Sequence, residues 1–226
     1  SKEKGYGNND IEGPDAVHGT HVAGIIGADR VNNEGMKGVA NNVQIMSLRA
    51  VPNGDERDKD IANAIMYAVN NGATVINMSF GKAYSYDKKI VDKAVKYAAK
   101  KGVLLVHAAG NSSLNIDVEN NFPHKGFGEK AKKKATNWIE VGALSWEKND
   151  NSVAEFSNYG KSEVDLFAPG VDIYSTVPDA KYKDLSGTSM ASPVVAGVAA
   201  MVWSYYPELS AKELRAVLIE SVVPVT

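Results

Sequence analysis

The chain contains no cysteine among its 226 residues. Disulfides, thiol nucleophiles and cysteine-based zinc sites are therefore excluded, and the redox compartment is left open. It also lacks an apolar run of membrane-spanning length. The longest, Val194 to Trp203, suits a buried helix segment. Neither sign of charge is in excess: 25 Lys and Arg stand against 27 Asp and Glu, for a net charge of −2. That balance offers no general attraction to nucleic acid or to anionic membranes. The chain opens on Ser1-Lys-Glu-Lys4 with no secretory leader, and reads as a processed or excised form.

What is present suits one globular domain. Hydrophobic residues make up 44 % and charged residues 23 %, and the length is at the upper end for a single core. Residues 1–226 are expected to form that one domain, with 1–17, polar and turn-rich, as a loop or severed linker. Residues 18–28 read as a helix, and Val43 to Val51 as a buried strand. Asp60 to Asn71 and Asp87 to Lys101 place apolar residues on one helical face, and each is followed by a glycine stop. Between and after them Thr74 to Met78 and Val103 to Ala108 are apolar strands. Residues 111–137 read as a long irregular insertion whose basic run, Lys130 to Lys134, is a solvated loop. Trp138 to Leu144, Val164 to Phe167 and Val171 to Val177 are further strands. Ser189 to Tyr205 is apolar nearly all round, as a central helix is, and Ser210-Ala-Lys-Glu213 is a capping box opening a last helix to about Val222. Alternating apolar strands and helical crossovers imply an α/β fold, a mostly parallel sheet with helices on both faces.

In such sheets reactive groups collect beyond the carboxyl ends of the strands. Three polar signals fall there: His18 at a helix start, Asn111 directly after a strand, and Ser186-Gly-Thr-Ser189-Met-Ala-Ser-Pro193 at a strand-to-helix junction. Proline belongs in the first turn of a helix, so Pro193 sets Ser189 at or just before the helix N-terminus. A serine there meets backbone N–H groups suited to an oxyanion. Capping of the helix by Ser189 or Thr188 is an equally weighted reading. Of the four histidines, His107 lies inside an apolar strand and His124 in a loop. His18 and His21 are one turn apart, without an HExxH pattern or a third metal ligand at fixed spacing. His18 is the expected base, and His21 a buried partner within the core. Asn111 reads either as a turn former or as an amide donor to an oxyanion.

Together these residues resemble the subtilisin-like serine proteases. His18-Gly-Thr-His-Val-Ala-Gly, Val75-Ile-Asn-Met-Ser-Phe-Gly81, Ala109-Gly-Asn111, Phe167-Ala-Pro-Gly170 and Ser186-Gly-Thr-Ser189-Met-Ala-Ser-Pro occur in that family's order. The resemblance implies a three-layer subtilisin-like fold and peptide-bond hydrolysis through an acyl-enzyme. Ser189 would be the nucleophile and His18 the general base, then acid. Asn111 and the Ser189 N–H would hold the oxyanion, and Ser79-Phe80-Gly81 would pair with substrate backbone. The implied partner is a peptide or protein substrate, and the implied location is outside the cytoplasm. Calcium is possible in the intact family domain, and Val31 to Gly35 offers oxygen ligands, but no cofactor or metal site is assigned.

One departure outweighs the others. The family order is acid, histidine, serine, and nothing before His18 is an apolar strand ending in Asp-Thr/Ser-Gly. Asp10, Glu12 and Asp15 lie in the polar loop. The expectation is a domain truncated before its acid, with the acid and its internal strand upstream of Ser1. A companion N-terminal segment or a second copy would complete the sheet, and this chain alone would hydrolyse peptides weakly or not at all. Asp55, Glu56 and Asp58 are expected to be solvated loop acids rather than selectors of basic substrates. A non-catalytic relative that binds peptides in the same cleft is the rival reading, and a metal-dependent hydrolase a distant third.

Overall fold

Short apolar segments that alternate with amphipathic ones set the order of elements. The structure is a computed structural model that describes residues 7–52, 54, 56–128, 133–146 and 152–224. In chain order come α1 (Val17–Gly27), α2 (Asp58–Asn70), β1 (Val75–Met78), α3 (Lys88–Lys100), β2 (Leu104–Ala108), β3 (Gly126–Phe127), β4 (Lys133–Lys134), β5 (Trp138–Leu144), β6 (Leu166–Pro169), β7 (Ile173–Val177), β8 (Lys181–Leu185), α4 (Thr188–Tyr205) and α5 (Ala211–Glu220).

The main sheet runs β1-β2-β5-β6, every pair parallel. Side chains alternate across a strand, and β2 uses both faces. Leu104 and Val106 join Ile139, Val141, Val195, Ala199, Leu214 and Leu218 in one apolar cluster, beneath α4 and α5. Leu105 joins Ile61, Ile65, Val91, Val95 and Trp138 in the other, beneath α2 and α3. The expected three layers are thus present. One polar pair interrupts the second face: His107 Nδ1 donates to Glu140 Oε1 at 2.8 Å and Trp138 Nε1 donates to Glu140 Oε2 at 2.7 Å, all three residues being buried.

Most predicted elements stand within a residue or two of their expected bounds, and Ser210 and Glu213 do close a capping box. Five readings need correction. Residues 43–51 form no strand, and Ile45, Met46 and Leu48 are exposed at 46, 41 and 36 %. A β-ladder needs a neighbour for its N–H and C=O groups, and β1, an outer strand of the sheet, pairs among the described residues only with β2. The 171–177 segment is not part of the main sheet: it forms an antiparallel hairpin with β8, which the alternating Lys-Tyr-Lys-Asp pattern concealed. The irregular insertion holds a two-residue ladder between β3 and β4; Lys130 to Lys132 of its basic run lie outside the described residues. Pro193 sits in the second turn of α4, not the first. Finally, Glu56 and Asp58 are buried, not solvated; Asp55 lies outside the described residues. Asp58 pairs with Lys82 at 2.8 Å and accepts from Ser85 Oγ and the Asp87 N–H. Burial alone would raise its pKa, but these donors hold it below the ordinary carboxylate value.

Candidate active site

The carboxyl ends of β1 and β2 and the N-terminus of α4 converge on one place. At α4 the chain turns through Gly187, with φ 156° and ψ 161°, a conformation that only glycine adopts readily. Thr188 and Ser189 are the first two helical residues, and the N-cap residue, Gly187, has no side chain to cap the helix. The capping role for Ser189 is therefore not the one the structure displays. The first four N–H groups of a helix have no partner within it. Here Thr188 N donates to Asn111 Oδ1 at 2.8 Å, while Met190 N and Ala191 N donate to the Gly187 carbonyl. Among the described residues the Ser189 N–H has no such partner.

Asn111 is held by one end of its amide. Thr188 Oγ1 also donates to Asn111 Oδ1, at 2.9 Å, and itself accepts from the Gly110 N–H at 3.1 Å. Gly110, with φ 101°, supplies the left-handed turn that brings Asn111 back toward α4. With Oδ1 doubly engaged, the Nδ2 group is left facing outward beside Gly187: a Cβ added to that glycine would stand 3.4 Å from it. Sequence reasoning missed Thr188, which it treated only as a possible cap. Its signal was its place in Gly187-Thr-Ser189, one residue before the serine.

Ser79 lies just past the end of β1. Its Oγ donates to the Ser189 carbonyl at 2.9 Å, and Ser189 Oγ donates in return to the Ser79 carbonyl at 3.3 Å. Phe80 packs edge-on to the His107 ring, with centroids 6.2 Å apart. Gly81 is backed by Asn121, whose Nδ2 donates to the Ala109 carbonyl at 2.9 Å. One amide thus joins the 79–81 segment to the segment that carries Asn111.

His18 is the second residue of α1, exposed on one side, and α1 packs along α4. At Gly197 of α4 a Cβ would stand 2.7 Å from Val39 Cβ, so glycine lets the segment that follows α1 lie against α4. His18 is lowered below the ordinary imidazole value, first by its partial burial and then by neighbouring His21, against an opposing pull from Asp15. No hydrogen bond joins His18 to Ser189 or to a carboxylate among the described residues. Asp15 instead accepts from the Val17 N–H, and Asp10 from the Gly13 N–H. His21 is buried as expected, with Nε2 donating to the Lys183 carbonyl at 2.9 Å. His107 is the core histidine paired with Glu140. His124 is half-buried, accepts from the Gly126 N–H, and is pushed by burial and by Lys88 down to about 4. No group of three or more His, Cys, Asp or Glu suited to a metal ion occurs among the described residues.

The serine, the free amide and the free N–H are what acyl transfer requires at its reacting carbon. Comparison with known proteins gives the family. The Subtilase family profile matches residues 1–225. The chain is 42 % identical over 205 residues to a thermophilic serine proteinase of Bacillus sp. (strain AK1), covering 89 % of this chain and 47 % of that protein. It is 38 % identical over 214 residues to the major intracellular serine protease of Bacillus subtilis (strain 168), covering 92 % of this chain and 61 % of that one. Among solved structures, a cold adapted subtilisin-like serine proteinase superposes with a TM-score of 0.75 at 35 % identity, over 91 % of this chain and 68 % of that one. The chain thus spans about half to two thirds of the length of these curated relatives.

Proposed function

The chain belongs to the subtilase family of serine proteases, and from that premise we propose that it carries the histidine-to-serine part of an endopeptidase that works through an acyl-enzyme. Ser189 attacks the scissile carbonyl. His18 takes the hydroxyl proton and returns it to the leaving amine. Asn111 Nδ2 and the Ser189 N–H receive the oxyanion, and Ser79 to Gly81 pairs with the peptide backbone. The observation that carries this reading is the pair of uncommitted donors beside Ser189: every other N–H of the first turn, and the Asn111 carbonyl oxygen, is already engaged.

His18 needs an orienting acid. We assign it to a strand that docks on the free edge of β1, supplied by a companion segment or a second copy. The support is physical: among the described residues β1 has one unpaired edge, Ile45, Met46 and Leu48 are exposed in a segment that forms no strand, and no carboxylate is bonded to the histidine. Without that acid, triads of this type lose on the order of 10⁴ in kcat, so residues 1–226 alone should turn over peptides very slowly.

Peptide binding without hydrolysis is the second reading, favoured by the Ser189 hydroxyl resting on the Ser79 carbonyl rather than on His18. A fluorophosphonate probe applied to the full-length protein separates the two. Covalent labelling at Ser189 that disappears in Ser189→Ala and survives chelators supports the enzyme; absence of labelling supports the binder. No helix among the described residues is long and apolar enough to cross a membrane. Export rests on the family resemblance alone, while one relative is named as intracellular; cell fractionation decides between them.

A further inference from the structure

Pro193 removes a helical hydrogen bond at the nucleophile itself. In an α-helix the carbonyl of residue i accepts from the N–H of residue i+4. For Ser189 that residue is Pro193, which has no N–H. The serine's own carbonyl is left without its helical donor, and Ser79 Oγ takes the place at 2.9 Å. A serine hydroxyl rotates freely, yet this one is held. Asn77 Nδ2 donates to Ser79 Oγ at 2.9 Å, which leaves the Ser79 proton to point at Ser189. The Asn77 amide is fixed in turn, because Ser192 Oγ, fully buried, donates to Asn77 Oδ1 at 2.6 Å. Ser192 follows Ser189 by three residues and so shares its side of α4. The loop of bonds therefore begins and ends on α4, crossing to β1 and back.

We propose that Asn77 is a positioning residue for the nucleophile: by orienting Ser79 Oγ it supplies the hydrogen bond that Pro193 withholds from Ser189. It touches neither substrate nor reacting atoms and acts through Ser79. The inference rests on the reading of Ser189 as nucleophile and adds to it a second-strand support that the helix lacks.

The test uses the full-length protein with Asn77→Ala, Pro193→Ala, both together, and Asn77→Asp, read by saturation kinetics of fluorophosphonate labelling. Asn77→Ala should lower the limiting rate about fivefold to tenfold, the usual worth of one neutral hydrogen bond, with the half-saturating probe concentration unchanged. Pro193→Ala restores a backbone N–H, so in that background Asn77→Ala should cost less than about twofold, the cycle measuring the coupling. Asn77→Asp keeps the shape and the acceptor for Ser192 but has no proton for Ser79, and should fall with Asn77→Ala. Equal cost of Asn77→Ala in both backgrounds, or a parental rate in Asn77→Asp, overturns the proposal. Should the parent protein not label at all, the nucleophile reading fails, and the relay is judged from the Ser189 13Cβ resonance instead. A shift caused by Asn77→Ala that largely vanishes in the Pro193→Ala background sustains it; an equal shift in both rejects it.

Discussion

His18 is the residue whose chemistry is most exposed to its surroundings. Partial burial and His21 lower its pKa while Asp15 pulls the other way. A base must be unprotonated, so Ser189 labelling of residues 1–226 alone should rise with pH and reach its midpoint below the ordinary imidazole value of 6.5. Asp15→Asn removes the only raising influence named above and should move that midpoint lower still; an unmoved pH profile would show that Asp15 does not reach His18. Asn111 is pinned through Oδ1 by Thr188. Asn111→Ala should therefore reduce kcat by about 10²- to 10³-fold, as loss of one oxyanion donor does, and leave KM nearly unchanged when peptide hydrolysis by the full-length protein is measured. At this scale the sequence was informative. Acyl transfer needs a hydroxyl, an imidazole and an amide, and those residue types stood out after strands and at helix starts. Thr188, Asn77 and Ser192 did not stand out, because serine, threonine and asparagine near helix ends have ordinary duties as caps and turns.

Elements were legible where a segment carries its own pattern. The α3 helix has a continuous apolar stripe, and β5 matched its expected bounds. Residues 43–51 show why the rest was not. An apolar, β-rich run reports what a segment would do beside a partner, and whether a partner exists is decided elsewhere in the chain. The segment from Phe122 to Phe127 makes a testable case of local stability. His124 is kept neutral down to about pH 4, first by burial and then by Lys88, while in the unfolded chain it gains a proton near 6.5. Between those values the unfolded state binds more protons, so stability is complete above pH 6.5 and declines as pH falls toward 4. Urea midpoints should follow that decline. His124→Asn, which keeps an acceptor for the Gly126 N–H, should flatten it; an unchanged slope would assign the acid loss to other groups.

The whole molecule is a parallel sheet between two helical layers in which, among the described residues, the outer edge of β1 has no partner strand. An open parallel edge, in a chain that also exposes Ile45, Met46 and Leu48, invites pairing with another chain. Residues 1–226 alone should therefore associate, seen by sedimentation velocity as a concentration-dependent shift. Charged replacements at Ile45, Met46 and Leu48 should weaken that association. A monomer at all concentrations would instead show that the edge is protected. The inner strands β2 and β5 face no such ambiguity, and the buried pair of His107 and Glu140 explains part of the reason. These residues stand opposite one another in the β2–β5 ladder. Sliding β5 by one residue would turn the Glu140 carboxylate toward the apolar side beneath α4, away from both its donors, while every neighbouring side chain changed face with it. The pair thus works as a key that fits one alignment of the two strands, and since Asn111 follows β2 by three residues, that key also sets how far the amide reaches over the cleft.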